Sequence, residues 1–373
     1  MKTLTSMLSP LFKPVDFSDC PGWRADRQIE AFRAFLRSAE RVRERPYKSG
    51  SLGISFEALE PIFADSRETI VESNEAARSF FEKWFRPALI ETTDAAPGFV
   101  TGFYEPEVIA SPVRSAEFHV PFFRRPHDLV DVDESNRPDG FDPYFAFARQ
   151  TPAGLVEYFD RPAIESGALE GQGLEIAYVA SPVDAFFIHV QGAARLKMTD
   201  GRLRRITYAA KTGHRFTGIG KILLEGGEIA PDAMSMQSIR AWLAANPDKA
   251  RALMWNNRSY IFFREAGVED ETLGPIAAAK VPLSGGRSLA VDRLLHTFGT
   301  PFFIHSPELR AFGGEHFSRL MIAQDTGSAI VGPARGDLFA GSGDAAGEIA
   351  GGIRHNADFY ALVPRVLLPE ADQ

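Results

Sequence analysis

The order in which helical and strand-like textures alternate is the strongest constraint on this chain. Before Gly98 the apolar residues recur at helical spacing. Ile29, Phe32, Phe35 and Leu36 share one face of a segment that Asp26 can cap, and a second helix is expected from Asn74. That second helix ends in Phe80, Phe81, Trp84 and Phe85 before Pro87, a cluster whose spacing fits a buried stripe better than a ligand shelf. From Gly98 the chain changes to short β-like runs cut by Pro and Gly: GFVTGFYEPEVIAS, FHVPFFRRP, LEIAYVASPVDAFFIHVQG and RLRRITYAA. Asp200-Gly201, between RLKM and RLRR, marks a hairpin turn. Helical spacing returns in TGIGKILLEGG and in MSMQSIRAWLAANPDKARALMWNN, with Pro231 and Asp232 at a suitable helix start. β-texture resumes with SYIFFRE, RSLAVDRLLHTFGTPFFI, RLMIAQDTGSAIVG, DLFAGSG and FYALVPR. No strand–helix–strand alternation is sustained, which argues against a doubly wound nucleotide fold. Two blocks of strands, each preceded by helices, predict one domain built from both chain ends and interrupted by another.

Composition narrows the partners. With 373 residues and 45% hydrophobic content, the chain suffices for two ordinary globular domains. A net charge of −8 argues against a nucleic-acid partner, which needs a basic stripe, but leaves a largely uncharged sugar polymer open. The single cysteine, Cys20, excludes an internal disulfide and a cysteine-built metal site, and reads as a buried thiol. A lipidated cysteine would follow an apolar stretch ending in small residues, whereas Asp16, Ser18 and Asp19 precede this one. Met1–Phe17 is broken by Pro10 and Pro14 and makes a poor export signal, so for an exported protein the native start is expected upstream.

Several motifs imitate known chemistry and fail on their surroundings. Asp325-Thr326-Gly327-Ser328 spells an aspartic-protease signature, yet that chemistry needs a second such motif, and none occurs. Gly341-Ser342-Gly343 with Gly347 imitates a dinucleotide loop but lies too near the C-terminus to complete its unit, so a turn with close packing is expected. The eight histidines are scattered without a His-Glu-x-x-His pair, and there is no Gly-x-Ser-x-Gly elbow. Carboxylates remain. Asp292, Asp325 and Asp337 each sit beside apolar strand residues and glycines rather than in a charged run.

The order Ala290-Val291-Asp292, Gly299-Thr300, Asp325-x-Gly327-x-Ala329-Ile330 and Asp337-Leu338-Phe339 closely resembles the three-aspartate (3D) domain of the membrane-bound lytic murein transglycosylase A family. The likeness extends to Thr101-Gly102-Phe103-Tyr104-Glu105-Pro106, to Val183-Asp184-x-Phe186 followed by Val190-Gln191-Gly192, and to Tyr208-Ala209 with Lys211-x-Gly213-His214. Ile219-Gly220-Lys221 and Met234-Ser235-Met236-Gln237 match as well. Ala193-Ala194 replace the Ser-Gly usual after Val-Gln-Gly, a departure expected to alter one loop, and the family's lipid-attachment cysteine has no counterpart.

The resemblance implies a mainly β fold with α: a double-psi β-barrel domain from residues 1–104 and 266–373, a smaller inserted β-domain from residues 105–265, and a substrate groove between them. It implies an exolytic peptidoglycan transglycosylase, a carbon–oxygen lyase that leaves 1,6-anhydromuramic acid ends. Asp337 would be the catalytic acid and base, supported by Asp325 and Asp184 as neighbouring charges that orient sugar or backbone. Tyr104 and Gln191, with Gly102 and Gly192 beside them, would bind substrate, although core and loop roles for Tyr104 and Gln191 stand equally open. No metal and no cofactor are expected, because a dication would hold Asp337 as a carboxylate. The implied partners are glycan strands and other cell-wall enzymes, in the periplasm and at the outer membrane. The competing reading is a non-catalytic peptidoglycan-binding or wall-loosening protein on a related barrel.

Overall fold

The computed structural model describes residues 8–92, 97–267 and 270–368. The chain divides into two compact units, Met1–Tyr104 together with Glu271–Gln373, and Glu105–Asp270. The first unit opens with β1 (Phe12–Pro14), α1 (Gln28–Arg41), α2 (Phe56–Glu68), α3 (Asn74–Trp84), β2 (Phe85–Ile90) and β3 (Gly98–Glu105). The second unit begins with β4 (Glu107–Ala110), β5 (Val120–Phe123), β6 (Leu129–Asp131), β7 (Phe147–Thr151), β8 (Gly154–Val156) and α4 (Arg161–Ala163). It continues through β9 (Glu175–Val179), α5 (Pro182–Gln191), β10 (Ala193–Met198) and β11 (Leu203–Lys211). Helices α6 (Ile219–Glu225), α7 (Met236–Ala245) and α8 (Pro247–Trp255) and strand β12 (Ile261–Ala266) complete it. The chain then returns to the first unit with β13 (Ser288–Val291), β14 (Pro301–Ser306), β15 (Phe317–Asp325), β16 (Arg335–Ser342), α9 (Asp344–Gly351) and β17 (Arg354–Pro364).

In the first unit the strand order is β1-β2-β17-β14-β15-β13-β16-β3, and β3 also pairs with β17. The six strands β17, β14, β15, β13, β16 and β3 therefore close into a ring, which agrees with the expected barrel. Closure leaves no free edge within the ring, and alternate residues of each strand must point inward. The N-terminal helices cover this barrel through a phenylalanine core. α1 turns Ala31, Phe32, Phe35 and Ala39 inward, and the Phe35 ring lies 4.9 Å from Phe63 of α2 and 5.8 Å from Phe81 of α3. Full burial of each such side chain contributes roughly 1.5–3 kcal/mol. Ser55 and Ser73 cap α2 and α3, their hydroxyls accepting from Ala58 N at 3.3 Å and Ala76 N at 3.1 Å. Pro61 lies inside α2 and locally disfavours helix, but burial of Phe56, Leu59, Ile62 and Phe63 outweighs it.

Two local expectations need correction. Asp26 does not cap α1, where Arg27 holds the cap position. Instead Asp26 is buried, bridged to Arg287 at 2.9 Å, and accepts from the Leu320 amide at 2.8 Å, which ties the entry of α1 to the barrel. LEIAYVASPVDAFFIHVQG is not continuous β: it splits into β9 and α5 at Ser181-Pro182. The Ser181 hydroxyl accepts from Asp184 N at 3.1 Å and Pro182 opens the helix, signals obscured in sequence by the β-branched and aromatic residues around them.

The second unit is built on the sheet β12-β11-β10-β4, with two small sheets, β5-β9 and β6-β7-β8. β10 and β11 pair antiparallel across the Asp200-Gly201 turn, as the sequence indicated. Ala193 and Ala194 are not a loop variant: both are buried on β10, opposite Thr207 and Ile206. Glu105, fully buried, is held by Arg195 at 3.0 Å and Arg205 at 2.6 Å. The expected long helical run after Ser235 breaks at Asn246-Pro247 into α7 and α8.

Arg287 also donates to the Leu320 carbonyl at 3.1 Å and to Glu30 at 3.1 Å, so it joins helix α1 to strand β15. Arg287→Met leaves Asp26 buried without its cation and is expected to cost about 3–5 kcal/mol. Equilibrium denaturant unfolding measures this, and a loss below about 1 kcal/mol contradicts it.

Candidate active site in the barrel

The site begins at Ala290. On one side it pairs with Asp325 of the parallel strand β15, on the other with Asp337 of the antiparallel strand β16. Residues paired across adjacent strands share a face, so both aspartates and the small Ala290 between them face the same way. A bulge makes this possible. Leu289 pairs with Ala323 but Ala290 pairs with Asp325, so Gln324 is the extra residue. The Gln324 side chain is buried, accepting from Ser288 Oγ at 2.6 Å and donating to the Ala34 carbonyl at 2.8 Å. Without that extra residue a register of strict alternation would turn Asp325 to the opposite face.

Asp337 is clasped from two neighbours. The Thr101 hydroxyl on β3 donates to its Oδ1 at 2.5 Å, and Arg335 Nη2, two residues before it on the same strand, donates to the Thr101 hydroxyl at 2.7 Å. The Arg335 guanidinium lies 5.5 Å from the Phe99 ring centre. Asp325 accepts from the Ala278 amide at 3.1 Å and from the Thr326 amide, with the Lys280 ammonium adding a weaker attraction.

Both carboxyls are half-buried, and loss of water dominates their behaviour. Burial pushes Asp337 above the ordinary carboxylate range, against the opposing pull of the Thr101 hydrogen bond and the Arg335 charge. Burial pushes Asp325 up to about 6, its amide donors resisting and the Asp337 charge adding to the rise. Two carboxyls with raised affinity for protons on one barrel face hold a proton at higher pH than free carboxylates do, as a group that delivers and retrieves one must.

The other residues singled out in the sequence have different places. Asp292 is buried and structural: its carboxylate accepts from Leu294 N at 3.0 Å and Gly332 N at 3.1 Å, joining two loops. Gly102 faces helix α9, where a Cβ would lie 2.8 Å from Ala350 Cα and its carbonyl oxygen. Tyr104 is 8% exposed, its ring so close to Gly347 that a Cβ there would sit 2.8 Å from Cε2. Packing of β3 on α9 thus accounts for the burial of Tyr104 and for glycine at positions 102 and 347. Asp184, Gln191 and Gly192 belong to the second unit. Asp184 is bridged to Arg240 at 2.6 Å, and the like charge felt by Asp325 is that of Asp337. Gln191 ends α5, and Gly192 closes it with a left-handed backbone (φ 82°) and an amide donating to Ile188 O at 2.8 Å. Cys20 is buried, its thiol pushed up to about 12 by burial and the nearby Asp19 charge.

Thr101 heads a motif matched to the family but carries no assigned role in sequence, and Arg335 carries no chemical signal there. The clue was spacing: residues 335 and 337 of one strand share a face. Among the described residues no group of three or more His, Cys, Asp or Glu side chains is arranged to hold a metal ion.

A closed barrel with two carboxyls on one face, one of them clasped by a hydroxyl, defines a class of protein with a carboxyl acid–base site. Comparison with known proteins makes the relationship specific. Residues 99–264 match the model of the MltA specific insert domain, and residues 287–363 match that of the 3D domain. The chain is 35% identical over 227 residues to membrane-bound lytic murein transglycosylase A of Vibrio cholerae, a match covering 57% of this chain and 60% of that protein. It resembles the crystal structure of a membrane-bound lytic murein transglycosylase from Agrobacterium tumefaciens with a TM-score of 0.90 and 52% identity, covering 95% of this chain and 98% of the other. It also resembles the structure of Escherichia coli MltA with bound chitohexaose, with a TM-score of 0.71 and 26% identity, covering 98% and 97% of the two chains. The chain belongs to the membrane-bound lytic murein transglycosylase A family.

The raised affinity of Asp325 gives a test by stability. An unfolded aspartate titrates near about 3.9, and the folded one near about 6. The fold therefore favours the protonated form, and the stability it contributes is complete below the unfolded value and lost as pH rises through the folded one. Asp325→Asn stays neutral throughout. Its melting temperature relative to the native protein is expected to rise between pH 4 and pH 7, read by thermal unfolding across that range; a difference independent of pH contradicts the assignment.

Proposed function

We propose that this protein is a lytic transglycosylase that cleaves the β-1,4 bond between N-acetylmuramic acid and N-acetylglucosamine in peptidoglycan, with Asp337 as acid and base. The observation that carries this reading is the carboxyl of Asp337, raised by burial, anchored at one oxygen by Thr101 and facing Asp325 across Ala290. Family membership supports it, and the description of the E. coli relative with bound chitohexaose supports an oligosaccharide as the ligand. The match to the V. cholerae protein spans 60% of that protein's length.

In this mechanism protonated Asp337 gives its proton to the glycosidic oxygen as the bond to muramic C1 breaks, and the N-acetylglucosamine hydroxyl leaves. Positive charge develops at C1 and the ring oxygen. The Asp337 carboxylate then takes the proton of the muramic C6 hydroxyl while that oxygen bonds to C1, closing the 1,6-anhydro ring and restoring the acid. One carboxyl serves both steps, so no water is consumed. Tyr104, Gly102, Gln191 and Gly192 are proposed to bind the glycan, with Asp184 and Asp325 in supporting roles. The relatives' description as membrane-bound supports a periplasmic site of action at the outer membrane, where other cell-wall enzymes are the expected partners. Among the described residues no helix is long and apolar enough to cross a membrane.

Asp337→Asn keeps the shape but cannot carry an acidic proton. Turnover is expected to fall at least about 10²-fold with glycan binding retained, measured by mass spectrometry of muropeptides released from purified peptidoglycan. Anhydro-muropeptides, one water lighter than hydrolysis products, identify the reaction; reducing ends indicate a hydrolase, and binding without release indicates a wall-binding protein. Because the first step needs protonated Asp337, native activity is expected to decline as pH rises through its raised titration range. A dication would stabilise the carboxylate instead, so activity is expected to survive exhaustive chelation; loss restored by calcium or magnesium contradicts the single-acid scheme.

A further inference from the structure

We propose that Arg335 is a positioning residue that acts through the Thr101 hydroxyl to fix which oxygen of Asp337 carries the proton, leaving Oδ2 as the acidic oxygen. This rests on the transglycosylase reading for its consequence, but its geometry stands alone. A guanidinium only donates hydrogen bonds. Arg335 Nη2 lies 2.7 Å from Thr101 Oγ1, so that hydroxyl accepts from Arg335. Its single hydrogen is then directed to Asp337 Oδ1 at 2.5 Å. Donation from a cation polarises the hydroxyl, making it a stronger donor and a weaker acceptor toward its next partner. Oδ1 is thereby held as an acceptor, and the proton of the neutral acid is placed on Oδ2.

The arrangement is spatially enforced. Arg335 is itself half-buried, lies over the Phe99 ring, and donates to the carbonyl of Gly336, so its side chain has little freedom to leave Thr101. Thr101 and Arg354 are paired across β3 and β17, the contact that closes the barrel, so the hydroxyl cannot drift away from β16 without opening the ring. The charged groups acting on the pair come from several elements: Arg335 from β16 acts on Asp337, while Asp337 itself and Lys280 from the segment before β13 act on Asp325 of β15. Arg335 thus supplies both orientation and an electrostatic pull toward the carboxylate, which keeps an otherwise water-poor acid able to release its proton.

The test uses the full chain with carbon-13 labelled aspartate carboxyls and the variants Arg335→Met, Arg335→Lys, Thr101→Val and Thr101→Ser. NMR titration of Asp337 reads the charge effect independently of turnover, and kcat and KM on peptidoglycan read the orientation. Arg335→Met and Thr101→Val are both expected to shift the Asp337 titration to higher pH, to move the alkaline limb of activity with it, and to lower kcat about tenfold with KM nearly unchanged. Thr101→Ser restores both readouts. Arg335→Lys, a point charge without the planar fork, keeps the titration near that of the native protein but not kcat. Because orientation, unlike the through-space charge effect, passes through Thr101, the double variant Arg335→Met with Thr101→Val is expected to show a kcat at its own optimum pH no lower than that of Thr101→Val alone. An unchanged Asp337 titration in Arg335→Met, or kcat losses that multiply in the double variant, overturns the proposal. Should the native protein itself release no anhydro product, the transglycosylase reading fails, while the titration shifts still decide the placement of the proton.

Discussion

Pairing of β3 with β17 is the constraint on which the rest of the first unit depends. It closes six strands into a ring and carries Thr101, from the first third of the chain, to Asp337 near its end, across 236 positions of sequence. Such long-range closure is entropically expensive and must be supported by burial. The support comes from two directions. The phenylalanine-rich helices cover one side of the sheet, with Asp26 and Arg287 fixing helix to strand, and α9 packs on β3 so closely that Gly102 and Gly347 have no room for a side chain. The local design is one of tight backbone approach where a carboxyl must be held still.

Within that frame a single inserted residue sets the face that Asp325 takes. The bulge at Gln324 lets β15 present Asp325 to the face that β16 gives Asp337, while the glutamine spends its own hydrogen bonds on Ser288 and helix α1. The two carboxyls share a small alanine and a site poor in water, and burial outweighs the hydrogen bonds and cations that would keep them ionised. An environment that raises one carboxyl's affinity for its proton while anchoring it at one oxygen is what a group must have to act first as an acid and then as a base.

The candidate aspartates are legible because the family's pattern is contiguous: each motif lies within a few residues of sequence, and strand spacing reproduces it locally. Partner residues were less legible. Arg335 and Thr101 acquire meaning from a pairing between distant strands, and the 2.6 Å ion pair of Asp184 with Arg240 joins residues 56 positions apart. Likewise Asp26 had the look of a helix cap and proved to be a buried ion-pair partner, because Arg287 sits 261 positions away in the chain. Helix α5 has strand-like texture for the opposite reason: its Ser-Pro start is local and decisive, yet the aromatic run that follows it has β propensity.

The sequence by itself determined the mainly β character, the interruption of one domain by another and the hairpin at Asp200-Gly201, and it singled out Asp325 and Asp337 as candidate site carboxyls. These follow from side-chain periodicity, turn chemistry and ordered motifs, all of which act over a few residues. Tertiary structure alone decided that Ala290 stands between the two aspartates, that Thr101 clasps one of them under the hold of Arg335, and that Tyr104 packs on helix α9. Register across a closed sheet and the loss of water around a carboxyl are properties of many strands together, and no short window of sequence contains them.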